Sequence, residues 1–188
     1  MQIEDTEIDD VKVIVPRRFG DDRGWFSETW NQAALVEAGL DYAFVQDNHS
    51  YSAYPDTIRG LHYQAPPFAQ AKLVRVVRGA ILDVVVDVRK GSPTYRTWVA
   101  RELTAERGEQ LLMPRGVLHG FRTLTPDVEV AYKVDAPYSG AADGSVRFDD
   151  PDLGVDWGLD GGRAILSDKD AGAPAFADFD NPFDYGAC

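Results

Sequence analysis

The sequence predicts a mainly β protein, built as an antiparallel sandwich or barrel such as a jelly roll. Many short segments of extended character follow one another at close spacing, and turns that contain Gly or Pro separate them. This pattern is typical of antiparallel all-β domains. Aromatic residues make up 11% of the chain, a share that favours packed sheet faces. We find no internal repeat and no linker long enough to separate domains, so we expect one jelly-roll domain over residues 1–188 with a substantial core.

The strand predictions depend on apolar runs that end at turns. In residues 81–88, apolar side chains alternate with Asp83, Val85 and Asp87, and this period of two predicts a strand with one buried face. Residues 128–134 alternate in the same way, which places Tyr132 on the apolar face. Predicted strands or extended segments cover residues 11–15, 25–30, 44–50, 58–64, 71–77, 81–88, 95–103, 111–113, 117–121 and 128–134.

A short helix is predicted near the N-terminus, and a segment rich in loops and helices is predicted at the C-terminus. Thr29 and Gln32 have the spacing of a capping box. This predicts a helix over residues 31–38, and Gly39 is placed to end it. From about Asp149 the sequence becomes loop-like, and its tail is rich in Asp, Pro and Phe.

The charge of the chain limits its partners. It has 31 acidic and 19 basic residues, a formal net charge of -12. An acidic surface repels nucleic acid backbones and anionic membranes, so we expect neither as a partner. An anionic small ligand would need a local cluster of Arg and Lys.

The cysteine content and the apolar runs indicate a cytoplasmic protein. Cys188 is the single cysteine, so no internal disulfide can form, which is consistent with a reducing compartment. The first residues are acidic and do not resemble a signal peptide. Charged residues interrupt every apolar run well short of the roughly 20 residues that a membrane helix needs.

One stretch, residues 58–64, concentrates reactive side chains. It carries Arg59, His62 and Gln64 within six positions. Strand alternation places Arg59, with Leu61 and Tyr63, on one face and His62 with Gln64 on the other. A lone histidine is more often a core residue than a catalytic one, so the function of His62 depends on partners elsewhere in the chain.

Candidate partners for His62 are identified by a resemblance: the chain resembles a known family, the dTDP-4-dehydrorhamnose 3,5-epimerases. The similarity covers nearly the whole chain, in the same order and with similar spacing, and it implies a cupin-type jelly roll that is usually a homodimer. The matching motifs are Asp22-Arg23-Gly24-Trp25-Phe26-Ser27-Glu28, Gln46-Asp47-Asn48-His49-Ser50, Arg59-Gly60-Leu61-His62-Tyr63-Gln64, Lys72, Pro114-Arg115-Gly116-Val117-Leu118-His119-Gly120-Phe121, Tyr132-Lys133, Tyr138, Asp149-Asp150-Pro151 and Leu166-Ser167-Asp168-Lys169-Asp170.

The reaction of that family needs a base, an acid on the other side of the sugar ring and a cation near an enolate oxygen. His62 is chemically suited to be the base. The resemblance assigns Asp170 to hold its tautomer and Tyr132 to donate the proton; without it, Asp170 would be interpreted as a loop cap and Tyr132 as a core residue. Lys72 lies on an apolar strand face, where it either forms a buried ion pair or stabilises the enolate.

The remaining predicted site residues bind substrate. Arg59 is the best candidate for the diphosphate and Arg23 the second, because a guanidinium can contact phosphate in a bidentate manner; either could instead be a surface charge. By resemblance, His119 contacts the substrate near the reacting centre, although it could be structural. The resemblance further implies an arm with Arg23, Phe26 and Glu28 that reaches across the dimer, contacts from Gln46, Asn48, Lys169 and Asp143, and a thymine stack on Tyr138. The family usually has Glu where this chain has Asp143.

A metal site is the main rival interpretation, because many jelly rolls bind iron or zinc. The chain has three histidines, so a site of His49, His62 and His119 stays open, but the close histidine pair typical of such sites is missing. There is no Gly-rich dinucleotide loop. We therefore expect no cofactor and no metal. The resemblance implies a dTDP-linked 4-keto-6-deoxy sugar as substrate, inverted at C3 and C5.

Three alternatives stay open from the sequence. The nearest is an epimerase that inverts one carbon only, since the same acid and base would serve it. The second is a metal-dependent cupin oxygenase. The third is a nucleotide-sugar binding protein without activity, against which the presence of His62, Tyr132 and Lys72 together argues.

Overall fold

The computed structural model of the chain describes residues 1–159 and 161–187. Its strands are β1 (Gln2–Asp5), β2 (Lys12–Val15), β3 (Arg18–Asp21), β4 (Gly24–Ser27), β5 (Gln46–Ser52), β6 (Ile58–Gln64), β7 (Lys72–Arg78), β8 (Ala80–Asp87), β9 (Trp98–Thr104), β10 (Gln110–Met113), β11 (Val117–Thr123), β12 (Val128–Val134) and β13 (Asp143–Ser145). The helices are α1 (Gln32–Glu37) and α2 (Asp168–Ala171), and a 3-10 turn covers Phe176–Asp178.

Two antiparallel sheets form a sandwich. The six-stranded sheet has the order β1-β2-β10-β7-β12-β5, and the five-stranded sheet has the order β13-β6-β11-β8-β9. Strands β3 and β4 form a separate hairpin. Sequence neighbours are often not sheet neighbours, which is the connectivity of a jelly roll. The predicted fold class is confirmed.

The main core lies between the two sheets. Alternate side chains of β7 and β12 point inward from one sheet, and those of β8, β9 and β11 point inward from the other. Burying this apolar surface stabilises the sandwich at roughly 25 cal/mol per Å² removed from water. The same inward faces carry Lys72 and Tyr132 toward one end of the sandwich, so the core and the site share their strands.

A second core covers the outer face of the five-stranded sheet. Leu61, Val84, Val86 and Leu118 pack there against the C-terminal segment. The prediction of one buried face for residues 81–88 is therefore wrong. Both faces of β8 are buried, because the C-terminal segment covers the outer face and the six-stranded sheet covers the inner one. Asp83 lies on the inner face with Ile81 and Val85 and has no exposure.

Helix α1 covers part of the outer face of the six-stranded sheet, where Leu35 packs against Ile14, Leu73 and Leu112. The predicted cap at Thr29 is wrong, because the side chain of Asn31 caps the helix by accepting a hydrogen bond from the Ala34 amide. The predicted end is confirmed: Gly39 has φ +83, and the Leu40 amide donates to the Leu35 carbonyl at 2.8 Å.

A β-bulge interrupts the pairing of β6 with β11. His62 pairs with His119 and Arg59 pairs with Phe121, so β6 has one residue more than β11 between these pairs. The strands approach closely here: a Cβ at Gly60 would lie 2.6 Å from the Gly120 Cα, and Gly60 has φ +125. Only glycine fits this position.

Several elements were not predicted from the sequence. Strand β1 pairs with β2 at the edge of the larger sheet, β3 pairs with the predicted extended segment at β4, and β13 pairs with β6. No helix in the described parts of the chain is long and apolar enough to cross a membrane.

Candidate active site

Polar side chains from both sheets meet at one open end of the sandwich. They surround two adjoining cavities of about 290 and 280 Å³. Both cavities are lined by His62, Lys72, Tyr132 and Lys169, so they form one continuous depression. The first is also lined by Ser50, Arg59, His119, Phe121, Ser167 and Asp170, and the second by Gln46, Asn48, Tyr63, Gln64, Gln70, Tyr138 and Asp143.

His62 forms a pair with Asp170. Its Nε2 lies 2.5 Å from the Asp170 Oδ1, and the Ser167 hydroxyl donates to the Asp170 Oδ2 at 2.9 Å. Burial alone would raise the pKa of Asp170, but the contacts with His62, together with the Ser167 hydrogen bond and the Lys169 charge, outweigh burial and hold that pKa below its usual value. An ionised Asp170 keeps the proton of a neutral His62 on Nε2, so the Nδ1 lone pair is available as a base.

Helix α2 places Asp170 in this pair. Ser167 is the N-cap, and its side chain accepts a hydrogen bond from the Asp170 amide at 3.1 Å. The carboxylate is only 5% exposed. The alternative interpretation of Asp170 as a capping residue is thus wrong, because Ser167 provides the cap. The Asp170 side chain is directed at His62 instead.

A second pair, His119 and Asp83, lies deeper. The His119 Nε2 is 2.8 Å from the Asp83 Oδ1, and the two residues are 7% and 0% exposed. Burial lowers the pKa of His119 more than the Asp83 carboxylate raises it. A neutral His119 with its proton on Nε2 directs its Nδ1 toward the Lys72 Nζ, at 3.5 Å.

Asp83 was not predicted as a site residue. Strand alternation separated it from the face expected to be buried, and the covering of both faces of β8 was not foreseen. A carboxylate inside a run of Val and Leu was the available signal, because such a group is almost never fully buried without a partner. Within residues 1–159 and 161–187, its Oδ2 has no hydrogen-bond partner.

Lys72 extends from β7 into the cavity. Burial lowers its pKa to about 8, although the carboxylates of Asp83 and Asp143 oppose the shift. The ammonium form therefore predominates at neutral pH, but it loses its proton more easily than an exposed lysine does. It faces His119 and forms no ion pair with any carboxylate in residues 1–159 and 161–187, so the ion-pair interpretation of Lys72 is wrong for this part of the chain.

Tyr132 enters the cavity from β12, on the opposite sheet from His62. Burial raises its pKa above the usual value, more than the Arg59 charge lowers it. The phenol is therefore protonated at neutral pH. A proton acceptor and a proton donor thus line one cavity from opposing sheets.

Arg59 lies on the same side of β6 as His62, and the predicted placement on opposite faces is wrong. The extra residue at the bulge resets the alternation, because Arg59 and His62 pair with Phe121 and His119, which share a face. The guanidinium bonds to the Ser52 hydroxyl at 3.1 Å and to the Tyr51 carbonyl at 2.9 Å. With Lys72 and Lys169, it supplies the local cationic cluster that an anionic ligand requires in an acidic chain.

The second cavity collects the residues predicted for the nucleotide side. Gln46 donates to the Asn48 side chain at 2.8 Å, and the Tyr138 hydroxyl donates to the Asp143 carboxylate at 3.3 Å. Lys169 forms an ion pair with Asp143. The structure thus gathers all five of these predicted residues at one end of the site.

Three predicted residues lie outside this depression. Arg23 and Phe26 belong to the hairpin of β3 and β4, where Phe26 is 69% exposed and Arg23 bonds to Asp21. Glu28 follows the hairpin and accepts a hydrogen bond from Asn31 at 3.1 Å. Within one chain they line no part of the cavities.

The three histidines do not converge on one point. His49 lies on the outer side of the six-stranded sheet, 3.1 Å from Glu129, whereas His62 and His119 face the cavity. In the described residues, no group of three or more His, Cys, Asp or Glu side chains could hold a metal ion. The geometry instead offers acid–base chemistry.

The fold and the site together define the class: a cupin-type jelly roll with acid–base groups around a cationic cavity. Comparison with known proteins gives the family. The chain belongs to the dTDP-4-dehydrorhamnose 3,5-epimerases, a family of carbohydrate isomerases, and the family's profile matches residues 5–178.

Individual relatives agree with this assignment. The dTDP-4-dehydrorhamnose 3,5-epimerase of Sinorhizobium fredii is 47% identical over 185 residues, covering 98% of this chain and 94% of the relative. The crystal structure of the Bacillus anthracis enzyme with TDP and PPi bound is 48% identical, with a TM-score of 0.89 over 93% of this chain and 98% of that one. A 3,5-epimerase from Legionella pneumophila in complex with dTDP-4-keto-L-rhamnose is 40% identical, with a TM-score of 0.90 over 95% and 94% of the two chains.

A relative with a narrower reaction has the same fold. A 3′-monoepimerase from Streptomyces bikiniensis in complex with dTDP-quinovose is 36% identical, with a TM-score of 0.85 over 92% of this chain and 87% of that chain. The family fold therefore does not by itself decide how many carbons are inverted.

Proposed function

We propose that this protein converts dTDP-4-dehydro-6-deoxy-D-glucose to dTDP-4-dehydro-L-rhamnose by inverting C3 and C5 of the sugar. One observation carries the proposal: the His62–Asp170 pair and Tyr132 line one cavity from opposing sheets, with Lys72 beside them. An inversion next to a ketone needs such an arrangement, because the proton must leave one face and return to the other.

The base is His62. Its Nδ1 removes a proton from the carbon next to the C4 ketone, the C–H bond breaks and the electron pair moves to the ketone oxygen as an enolate. Asp170 stabilises the imidazolium that forms, since an ionised carboxylate 2.5 Å from Nε2 favours the charged ring. No electrons leave the sugar, so the step requires no oxidant or reductant.

The acid is Tyr132. Its hydroxyl proton is transferred to the opposite face of the enolate carbon, the ketone re-forms, and the tyrosinate is reprotonated from solvent as His62 releases its proton. The raised pKa of Tyr132 keeps the phenol protonated before each step. Repeating the sequence at the second carbon completes the double inversion.

The enolate oxygen lies next to Lys72. The ammonium, oriented by the His119 Nδ1 at 3.5 Å, offsets the negative charge that develops there. A pKa of about 8 means that most molecules carry this charge at neutral pH. His119 is the other group near the reacting centre.

The nucleoside occupies the second cavity, where the Tyr138 ring stacks on thymine. Arg59, which lines the first cavity, binds the diphosphate, with Lys169, which lines both cavities, as a further cation. Asn48 and Asp143 contact the nucleoside, although Asp143 also forms an ion pair with Lys169. Similarity to enzymes crystallised with TDP or a dTDP-sugar supports a dTDP-sugar as the ligand.

The active form is a homodimer in which the hairpin of β3 and β4 reaches the partner's site. The hairpin exposes large aromatic side chains, with Phe19, Trp25 and Phe26 at 52%, 61% and 69% exposure. Such a patch favours a protein partner. Arg23 and Glu28 would then complete the substrate site of the second copy, with Arg23 as the second diphosphate contact. Sedimentation of wild type against Trp25→Ser tests the dimer, and a wild-type monomer would contradict it.

The location is cytoplasmic, and the chain acts as one domain over residues 1–188. A sequence with one cysteine, Cys188, fits a reducing compartment. Fractionation of the producing cells tests the location, and recovery of the protein outside the cytoplasm would contradict it.

Proton NMR of the dTDP-keto-sugar in heavy water tests the reaction. Two inversions incorporate deuterium at both C3 and C5 and yield the L-rhamno product. Exchange and inversion at one carbon would support the single-carbon alternative. Identities of 48% and 47% to proteins named 3,5-epimerases support the double inversion.

A further inference from the structure

The segment that carries Tyr138 is held at its backbone by side chains from three separate parts of the chain. It connects β12, which ends at Val134, to β13, which begins at Asp143, and so crosses from one sheet to the other. Gln46 reaches it from β5, Gln64 from the end of β6, and Gln70 from the loop before β7.

These glutamines bond to four consecutive residues, 136–139. The Gln70 amide donates to the Ala136 carbonyl at 2.8 Å. Gln64 donates to the Pro137 carbonyl at 3.2 Å and accepts from the Ser139 amide at 2.7 Å. The Gln46 carbonyl oxygen accepts from the Tyr138 amide at 3.0 Å.

Glutamine is the chemically suitable residue for Gln64, because its side chain carries both a donor and an acceptor and no charge. Its amide engages the carbonyl before Tyr138 and the N–H after it, as a neighbouring strand would. A second bond, from Nε2 to the Phe68 carbonyl at 2.6 Å, fixes the amide itself. The side chain is buried, with 5% exposure, so these polar groups have little access to water as an alternative.

The Tyr138 side chain, by contrast, has little direct support. It is 62% exposed, and in the described residues its hydroxyl makes one hydrogen bond, to Asp143 at 3.3 Å. The position of the ring therefore depends mainly on where its backbone is held.

We propose that Gln46, Gln64 and Gln70 form an amide clamp that positions the Tyr138 ring to stack on the nucleotide base. The inference rests on the proposed function, in which Tyr138 contacts thymine. It gives a use to Gln64, which the catalytic mechanism does not need. It also changes the role of Gln46, whose amide oxygen is directed at Tyr138 and whose nitrogen is directed at Asn48. Gln46 then acts through Tyr138 as a positioning residue.

Replacing Gln64 with Met, which has a similar shape but no amide, tests the clamp. We expect the KM for the dTDP-sugar and the Kd for dTDP to rise about tenfold, within the range that loss of one aromatic–base stack gives. The kcat should stay within about twofold of wild type, because ground-state and transition-state binding weaken together. Gln70→Leu, which removes one bond from a half-buried side chain, should give a smaller effect in the same direction and serves if Gln64→Met does not fold.

Asn181 provides a matched control. Its amide donates to the Val88 carbonyl at 2.5 Å and accepts from the Phe183 amide at 3.0 Å, so it joins two segments in the same way, but it lines neither cavity. Asn181→Leu should leave KM and Kd unchanged.

The dependence on Tyr138 is tested in the double variant. In a Tyr138→Ala background, Gln64→Met should have no further effect on dTDP affinity, and hydrogen exchange of the Ser139 amide in the ligand-free protein should be faster in Gln64→Met than in wild type. Two results would overturn the clamp. One is that Gln64→Met weakens dTDP binding as much in the Tyr138→Ala background as in wild type; the other is that Gln64→Met speeds exchange of the Ser139 amide but binds dTDP as tightly as wild type. Failure of the wild-type protein to bind dTDP would instead overturn the proposed function, so the two failures are distinguishable.

Discussion

Two histidine–aspartate pairs face one cavity, and their surroundings make them chemically different. The side chain of His62 is 30% exposed and its carboxylate partner lies on a helix of the C-terminal segment. The side chain of His119 is 9% exposed and its partner lies on β8 with no exposure. In both pairs the carboxylate holds Nε2, and the difference lies in what Nδ1 faces.

His62 lines both cavities, and its Nδ1 is the ring nitrogen that Asp170 does not engage, whereas the His119 Nδ1 faces Lys72 at 3.5 Å. The exposed pair is therefore suited to exchange protons with a bound sugar. The buried pair is suited to hold an ammonium in place, because a neutral ring with a fixed tautomer provides one acceptor in one direction. The same two residue types thus supply a base in one setting and a support in the other.

The largest predicted effect separates the two histidines. His62→Asn should lower kcat by about a thousandfold and abolish deuterium uptake at both carbons, because removal of a general base costs about that much. His119→Asn should lower kcat about tenfold and retain exchange, since it loses one bond to a charged group. Equal losses in the two variants would contradict the assignment of different roles.

The second prediction separates the base from the acid. Tyr132→Phe should lower the rate of inversion by about a hundredfold while solvent exchange at the carbon next to the ketone continues, because His62 is unchanged. NMR in heavy water measures both quantities in one sample. Normal inversion by this variant would mean that another group is the acid.

The sequence was sufficient to predict both members of the exposed pair, His62 and Asp170. It did not predict Asp83, the partner of His119 in the buried pair. His62 and Asp170 were reached through motif resemblance, and the bounds predicted for β6 and β12 match the structure. Asp83 was missed because periodicity describes one strand at a time. It cannot show that both faces of β8 are covered, so that the face with Asp83 packs toward the other sheet while the C-terminal segment covers the opposite face.

Arg59 illustrates a second limit. Alternation put it opposite His62, and one bulge residue at Gly60 reversed that result. A glycine inside a strand pattern is a known sign of a bulge or a close backbone approach. The helix cap shows the same sensitivity, since Asn31 rather than Thr29 satisfied the free amides. Pattern rules predict elements well, but one residue of register decides which side chains share a cavity.

The third prediction concerns pH and links the buried pair to Lys72. Because the pKa of Lys72 is lowered to about 8, its ammonium is present below that pH and lost above it, so kcat should fall above about pH 8. Asp83→Asn removes a charge that raises this pKa. The fall of kcat at high pH, the alkaline limb of the pH profile, should therefore move to lower pH, and kcat at pH 8 should be about tenfold below that of wild type. The charged or titratable groups that line the cavities with Lys72 are Arg59, His62, Tyr63, His119, Tyr132, Tyr138, Asp143, Lys169 and Asp170.

Asp170→Asn is the control for that shift. It removes a carboxylate from the other pair, so it should lower kcat and leave the position of the alkaline limb close to that of wild type. If both variants moved the limb equally, the effect would reflect the general charge of the cavity. If neither moved it, Lys72 would not be the group that titrates.

The smallest predicted effect is on the free energy of unfolding. The pH range over which this effect is lost differs between the two pairs. The pKa of His119 is lowered in the folded state, so its contribution to stability is present above the unfolded pKa of 6.5 and is lost as the pH falls through the folded value. The pKa of Asp170 is also lowered, from 3.8, so its contribution is lost only at more acidic pH. Urea unfolding from pH 7 to well below pH 3.8 measures both contributions, and His119→Gln should flatten the upper part of the curve. If His119→Gln and the wild type gave the same curve between pH 6.5 and 5, protonation of the buried ring would not limit stability.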